Sequence, residues 1–283
     1  MKTTREYLES PEVKGLAKST RELYGYALNH MQNFLGDKKG IDKLDMPGFA
    51  TYLEKMSLSG KSIQQYLTCT KIFLKWAGHP VQFTYKVSNK DRQSNKKKHL
   101  HRWFSEQDIE KCLGYKFENS NGDSLTLQAI VRILVETGVR VGEVSSIKAE
   151  DIFLEDQYIF VHGKTEPRPV IISEETVEML EQVLGGRIPF SSTMRIFPQV
   201  AKIKSAITRM LNDLGLKSPG DGRGPHTFRH HTATYLFYTC GMRIEDLAFL
   251  LGDKVETIRE KYLHPTPEMI KKRVLVAWGK WEE

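Results

Sequence analysis

Gln157–Ile172 reads QYIFVHGKTEPRPVII. YIFV and PVII are short runs of β-branched and aromatic residues. GKTEPRP between them carries the glycine and prolines of a turn, so the stretch predicts a β-hairpin. Everything around it has helical periodicity. Upstream, Phe104-Ser105-Glu106-Gln107-Asp108 sets a cap before IEKCL, and SLTLQAIVRILVETG is an apolar helix that stops at Gly138. After Gly142-Glu143 a further helix runs to about Ile147. Downstream, helices are expected at Glu174–Leu184, Val200–Leu214, Thr227–Tyr238, Ile244–Leu250, Val255–Tyr262 and Glu268–Trp278. The fold class is therefore mostly α with a small antiparallel β-sheet.

The first third also reads as helices. Ser19-Thr20-Arg21-Glu22 opens a run with Leu23, Tyr26, Ala27, His30, Met31 and Phe34 at helical spacing, ended between Gly36 and Gly40. A second run, MPGFATYLEKM, has Pro47 at its start. A third begins at Ser62, with Ile63, Tyr66, Leu67, Thr70, Phe73, Leu74 and Ala77 on one stripe. No internal repeat interrupts this order. The organisation expected is a helical unit at 1–80, a linker at 81–102, and an α+β unit at 103–283 that ends in a helix at 267–281.

The 283 residues carry a net charge of +7, and the charge is uneven. Residues 1–80 hold 12 Lys and Arg against 8 Asp and Glu, residues 81–102 hold 7 against 1, and the remainder hold 23 against 26. The linker concentrates Lys86, Lys90, Arg92, Lys96, Lys97, Lys98 and Arg102 in a stretch of low apolar content. Such a segment serves as a solvated tether, or as one that lies along phosphates and displaces their condensed counterions. The three cysteines, 69, 112 and 240, form no CxxC or Cys/His pattern, which excludes a zinc finger and a disulfide framework. MKTTREYLES has no apolar signal-peptide core, and no 18-residue apolar run occurs, so a cytoplasmic protein without membrane spans is expected.

Four pieces stand out as candidate chemistry. They are ETGVRVGEVSSI with Arg140, the hairpin turn with Lys164, PHTFRHHTATYL with His226 and Arg229 three apart on one helix face, and LLGDKVETIREKYLH with Tyr262. Taken singly, each has an ordinary structural explanation: a surface arginine after a helix stop, a turn lysine, a helix cap, a core tyrosine. Their order and spacing make the argument, with gaps of 24, 62, 3 and 33 residues from Arg140 through Lys164, His226 and Arg229 to Tyr262.

This set resembles the tyrosine recombinases, the phage-integrase and Xer-like family, whose catalytic residues run Arg, Lys, His-x-x-Arg, His or Trp, and Tyr. TGVRVGE and HTFRHHTA stand close to the family's usual wording, and the resemblance covers most of the chain. It implies that residues 1–80 form a core-binding, DNA-binding domain and that 103–283 form the catalytic domain. One position departs. The family commonly has Leu-Gly-His nine residues before the nucleophile, and here the piece is Leu251-Gly252-Asp253. A carboxylate beside a phosphodiester is repelled, so Asp253 is expected to turn away, bond a neighbour or carry a proton.

The resemblance implies a site-specific recombinase that cleaves and rejoins double-stranded DNA through a covalent 3′-phosphotyrosyl intermediate, for integration or excision of a mobile element or for resolution of chromosome dimers. The residue types suit that chemistry. Two guanidiniums hold the oxygens of a phosphorane-like transition state better than lysines would, which assigns Arg140 and Arg229 to the clamp, with help from His226. A phenol holds its proton at neutral pH, so Tyr262 needs an assistant, and His226 is the expected one. Lys164 on its turn would protonate the leaving 5′-oxygen. No metal, ATP or other cofactor is expected. The tail LHPTPEMIKKRVLVAWGKWEE places Met269, Ile270, Val274, Leu275 and Trp278 on one stripe, which in the resembling family docks on a neighbouring protomer in a ring of four; packing on its own core is the alternative. Two other activities fit less well: a type IB topoisomerase-like relaxing enzyme, and a DNA-binding protein of this fold with lost or weak catalysis.

Overall fold

Tyr7 explains how the N-terminal unit closes. Its ring lies 5.7, 5.4 and 5.1 Å from those of Tyr24, Phe73 and Trp76. The computed structural model of the chain describes residues 3–36, 40–86, 103–118, 124–163, 166–185, 193–263, 265 and 267–278. It divides into two compact units, Met1–Lys97 and Lys98–Glu283.

The first unit contains α1 (Thr4–Leu8), α2 (Pro11–Lys14), α3 (Lys18–Leu35), α4 (Met46–Lys55) and α5 (Gly60–Ala77). The two short N-terminal helices are additions to the sequence reading. Each starts at a side-chain cap, with Thr3 accepting from the Glu6 N–H and Ser10 from the Val13 N–H. On α3 the buried residues are Tyr24, Ala27, Leu28, Met31 and Leu35, at helical spacing. Tyr26, assigned to that stripe from the sequence, faces outward and is 62% exposed, because Tyr24 takes the core position. Helix α5 begins at Gly60, since the Ser59 hydroxyl caps it by accepting from the Ser62 N–H at 3.1 Å.

The second unit contains α6 (Glu106–Leu113), α7 (Ser124–Thr137), α8 (Val141–Val144), β1 (Ile152–Phe153), β2 (Tyr158–Val161), β3 (Arg168–Ile171), α9 (Glu174–Leu184), α10 (Val200–Asp213), α11 (Pro225–Tyr238), α12 (Ile244–Leu251), α13 (Val255–Lys261) and α14 (Pro267–Ala277). Ser105 caps α6 as expected, in a reciprocal box with Asp108. The central helix α7 carries eight buried residues and packs against α9 and α11. The sheet is antiparallel in the order β1-β2-β3. β1 was not anticipated, because two residues carry no readable alternation.

Register fixes which hairpin residues face inward. Ile159 pairs with Val170 and Val161 with Arg168, and all four are buried. The opposite face carries Phe153, Tyr158 and Phe160 in contact. Arg168 thus enters the interior at the end of a strand. The expected helix at 267–281 ends at Ala277. Trp278 is already in a turn, and residues 279–281 of the expected span lie outside the described residues. Among the described residues no helix is long and apolar enough to cross a membrane.

Candidate active site

Three chain breaks in helicity aim the site. Gly138 ends α7 with its N–H on the Leu134 carbonyl and a φ of +63°, a left-handed conformation that suits glycine. This turn places Arg140 directly before α8. Gly252 ends α12 in the same way, at φ +62°, and a Cβ there would lie 2.5 Å from the Arg168 guanidinium. That turn places Asp253. Pro225 begins α11, where a missing N–H costs nothing, so His226 and Arg229 lie in its first turns. Tyr262 sits at the C-terminal end of α13.

Arg229 is 1% exposed and makes four hydrogen bonds. Nε donates to the Tyr262 hydroxyl at 3.0 Å, Nη1 to the Gly138 carbonyl at 2.9 Å, and Nη2 to the Leu251 carbonyl at 2.8 Å and to Asp253 Oδ2 at 2.5 Å. A buried guanidinium needs its donors satisfied in this way. Arg140 Nη2 donates to the other carboxylate oxygen, Asp253 Oδ1, at 2.6 Å. Asp253 therefore bonds its neighbours, as one of the sequence expectations has it, and bridges both arginines. The Tyr262 hydroxyl lies 3.4 Å from Asp253 Oδ2.

A second layer, absent from the sequence reading, sits behind. Glu143 accepts from the Arg140 N–H at 2.9 Å and from Arg140 Nη1 at 3.0 Å. It also accepts from Arg168 Nη2 at 3.1 Å, while Arg168 Nε donates to the Leu250 carbonyl at 2.8 Å. Burial alone would raise the Glu143 pKa, but the hydrogen bonds and charges of Arg168 and Arg140 bring it below the usual carboxylate range. Burial likewise opposes the charge on Arg140, and Asp253 and Glu143 more than restore it, leaving its pKa raised. Glu143 was legible only as a helix boundary and Arg168 only as part of a turn. The two glutamate spacings that matter, three residues to Arg140 and 25 to Arg168, leave no local pattern to find.

Tyr262 is 7% exposed and is held from three sides. Its ring lies 4.8 Å from that of His230 and 5.1 Å from the Arg229 guanidinium carbon, and its carbonyl accepts from the Thr234 hydroxyl at 3.0 Å. The neighbouring histidines divide their roles. His226 is exposed, yet its pKa is lowered, first by crowding around the ring and then by the charges of Arg229 and Arg140. Because the residue is exposed to solvent, the repulsion from the two guanidiniums is the firmer cause. His231 is a core residue: Nδ1 lies 2.8 Å from the Phe104 carbonyl, the ring stacks on Tyr235, and burial lowers its pKa.

Arg140, His226, Arg229, Asp253 and Tyr262 thus converge at one place. Lys164 lies outside the described residues. Of the linker cations, Lys86 is described and exposed, whereas Lys90, Arg92, Lys96, Lys97, Lys98 and Arg102 lie outside the described residues.

Residues 102–269 match the profile of the phage integrase family. The chain belongs to that family, the tyrosine recombinases. The recombinase is 24% identical over 277 residues to the tyrosine recombinase XerD of Listeria innocua serovar 6a, covering 91% of this chain and 92% of the relative. It is 30% identical over 249 residues to XerC of Staphylococcus aureus strain MSSA476, covering 84% and 82%. Its fold is similar to that of the XerH site-specific recombinase in a post-cleavage complex with palindromic difH substrate, at a TM-score of 0.69 and 21% identity over 99% of this chain and 84% of that one. It is also similar to the Tn1549 transposon integrase in complex with circular intermediate DNA, at a TM-score of 0.68 and 16% identity over 97% and 98%. The recombinase is accordingly a mostly helical enzyme with a small antiparallel sheet, in keeping with the sequence expectation of family, fold class and reaction class.

Proposed function

We propose that this recombinase binds double-stranded DNA at a specific site and cleaves one strand with Tyr262, leaving a 3′-phosphotyrosyl bond and a free 5′-hydroxyl. The observation that carries the proposal is the 3.0 Å hydrogen bond from buried Arg229 to the Tyr262 hydroxyl, with Arg140 sharing the same anion. A nucleophile and two guanidiniums that already face one acceptor fit the needs of phosphoryl transfer. In this reading Arg140 and Arg229 hold the non-bridging oxygens. His226, kept neutral by its neighbours, takes the Tyr262 proton. Lys164 protonates the leaving 5′-oxygen. Glu143 and Arg168 position Arg140 and do not touch the phosphate.

Residues 1–80 act as the core-binding domain, 81–102 as a basic linker along the phosphates, and 103–283 as the catalytic domain. The covalent link conserves the energy of the broken bond, so attack by a 5′-hydroxyl of a second duplex completes strand exchange without ATP. Four protomers on two paired sites, in the cytoplasm, integrate or excise a mobile element or resolve chromosome dimers. The C-terminal segment that carries Ile270 and Val276 on α14 and Trp278 just after it, each at least 45% exposed, is the surface for the neighbouring protomer. Arg273 anchors this helix on its own chain through the Phe237 and Tyr238 carbonyls, at 3.0 and 3.1 Å.

One observation favours a second reading, DNA binding without cleavage: Asp253 fills the space between the two arginines. A nicked duplex that traps the covalent intermediate separates the two. Wild type is expected to give a covalent band attached at a 3′-phosphate, and Tyr262→Phe to give none. Tight, site-specific binding by wild type without any covalent band would select the second reading.

A further inference from the structure

We propose that Asp253 is the resident anion of the phosphate seat. It holds Arg140, Arg229 and Tyr262 in register in the free protein and is exchanged for the scissile phosphate when DNA docks. The inference rests on the reading of this site as a phosphodiester-cleaving centre. Its basis is the bridging geometry. One carboxylate oxygen takes Arg140 Nη2 at 2.6 Å, the other takes Arg229 Nη2 at 2.5 Å, and the second lies 3.4 Å from the nucleophilic hydroxyl. A carboxylate and the two non-bridging oxygens of a phosphodiester present the same forked acceptor to guanidinium donors, so one group substitutes for the other.

The exchange requires only a side-chain rotation. The Asp253 N–H is fixed on the Ala248 carbonyl at 3.1 Å, and Lys254 caps the next helix, so the backbone stays in place. The Asp253 side chain is 16% exposed, whereas that of Arg229 is fully buried, so the carboxylate is the member of the pair nearer to solvent and able to leave. It must leave, because two anions on one pair of guanidiniums repel at short range. Among Arg140, Arg168, Arg229, Glu143 and Asp253 the formal charge is +1, from three cations and two anions, and removing the Asp253 charge makes it +2. Every phosphate that binds therefore competes with an anion built into the chain.

The test compares the full-length wild type, Asp253→Asn and Asp253→His, with inorganic phosphate as the probe in titration calorimetry. Asparagine keeps the shape and loses the charge; histidine adds a donor. Both variants are expected to bind phosphate at least about tenfold more tightly than wild type, the scale of one charge competitor removed, and adding Arg140→Ala is expected to abolish the gain. Thermal shift gives a second measure: phosphate should raise the midpoint of Asp253→Asn more than that of wild type. Equal affinities and equal shifts would overturn the proposal. Phosphate binding does not need Tyr262 as a nucleophile. Absence of a covalent adduct in all three proteins would thus refute strand cleavage, while the phosphate titration still decides the role of Asp253.

Discussion

Arg168 and Glu143 form a deeply buried ion pair beneath the site, with side chains 3% and 4% exposed. Removing one partner of such a pair leaves the other charge uncompensated. Arg168→Ala is expected to destabilise the fold by about 3–5 kcal/mol, read from urea unfolding, and to lower cleavage because Glu143 no longer orients Arg140. A loss below about 1 kcal/mol, the usual worth of an exposed pair, would show that the pair is not buried in solution. The histidines set the acid limb. His226 and His231 both have lowered folded-state pKa values, so the unfolded chain binds more protons as pH falls through the ordinary histidine value of about 6.5. Stability is therefore full above that value and declines as pH drops toward the lowered folded-state values. Melting midpoints are expected to fall between pH 7.5 and 5.5, and His231→Phe to flatten that fall. A midpoint that rises on acidification would contradict the assignment. At this scale the sequence spoke where a residue belongs to a spaced motif. Arg140, His226, Arg229 and Tyr262 do, and they meet in one place. Arg168 does not, because strand register and long-range pairing brought it there.

At the scale of elements, legibility followed the strength of local signals. Ser105 and Asp108 announced α6, Gly138 ended α7, and the hairpin was visible from YIFV, its turn and PVII. Thr3 and Glu6 form an equally good capping box, yet α1 has five residues and no periodicity long enough to read. β1 failed for the same reason, as its partner Ile159 lies in another strand. The terminal helix was readable as a stripe, but its destination was not, since Arg273 anchors it to α11 while Trp278 stays 66% exposed. Deleting residues 265–283 is expected to keep the far-UV spectrum of the remaining helices and a cooperative melt, because among the described residues the main cores use none of that segment. The same deletion is expected to weaken assembly on paired sites at least about tenfold, the effect of losing a small apolar anchor. Undiminished assembly by the truncated protein, seen in native gels, would assign α14 to its own subunit alone.

Across the whole molecule, each unit has its own hydrophobic core, and Arg140, His226, Arg229, Asp253 and Tyr262 all lie in the second unit. Charge tells the same story from the sequence: the positive excess lies in the first unit and the linker, which suits a grip on phosphates, while the second unit is near neutral and brings Arg140, Arg168 and Arg229 together around Glu143 and Asp253. A single chain brings together the two arginines, the histidine and the tyrosine of the proposed site. The most direct measurement is mass spectrometry of the proteolysed adduct trapped on a nicked duplex. The account predicts a nucleotide joined through its 3′-phosphate to the peptide that contains Tyr262. A modified peptide that lacks Tyr262, or a 5′-phosphate linkage, would contradict it.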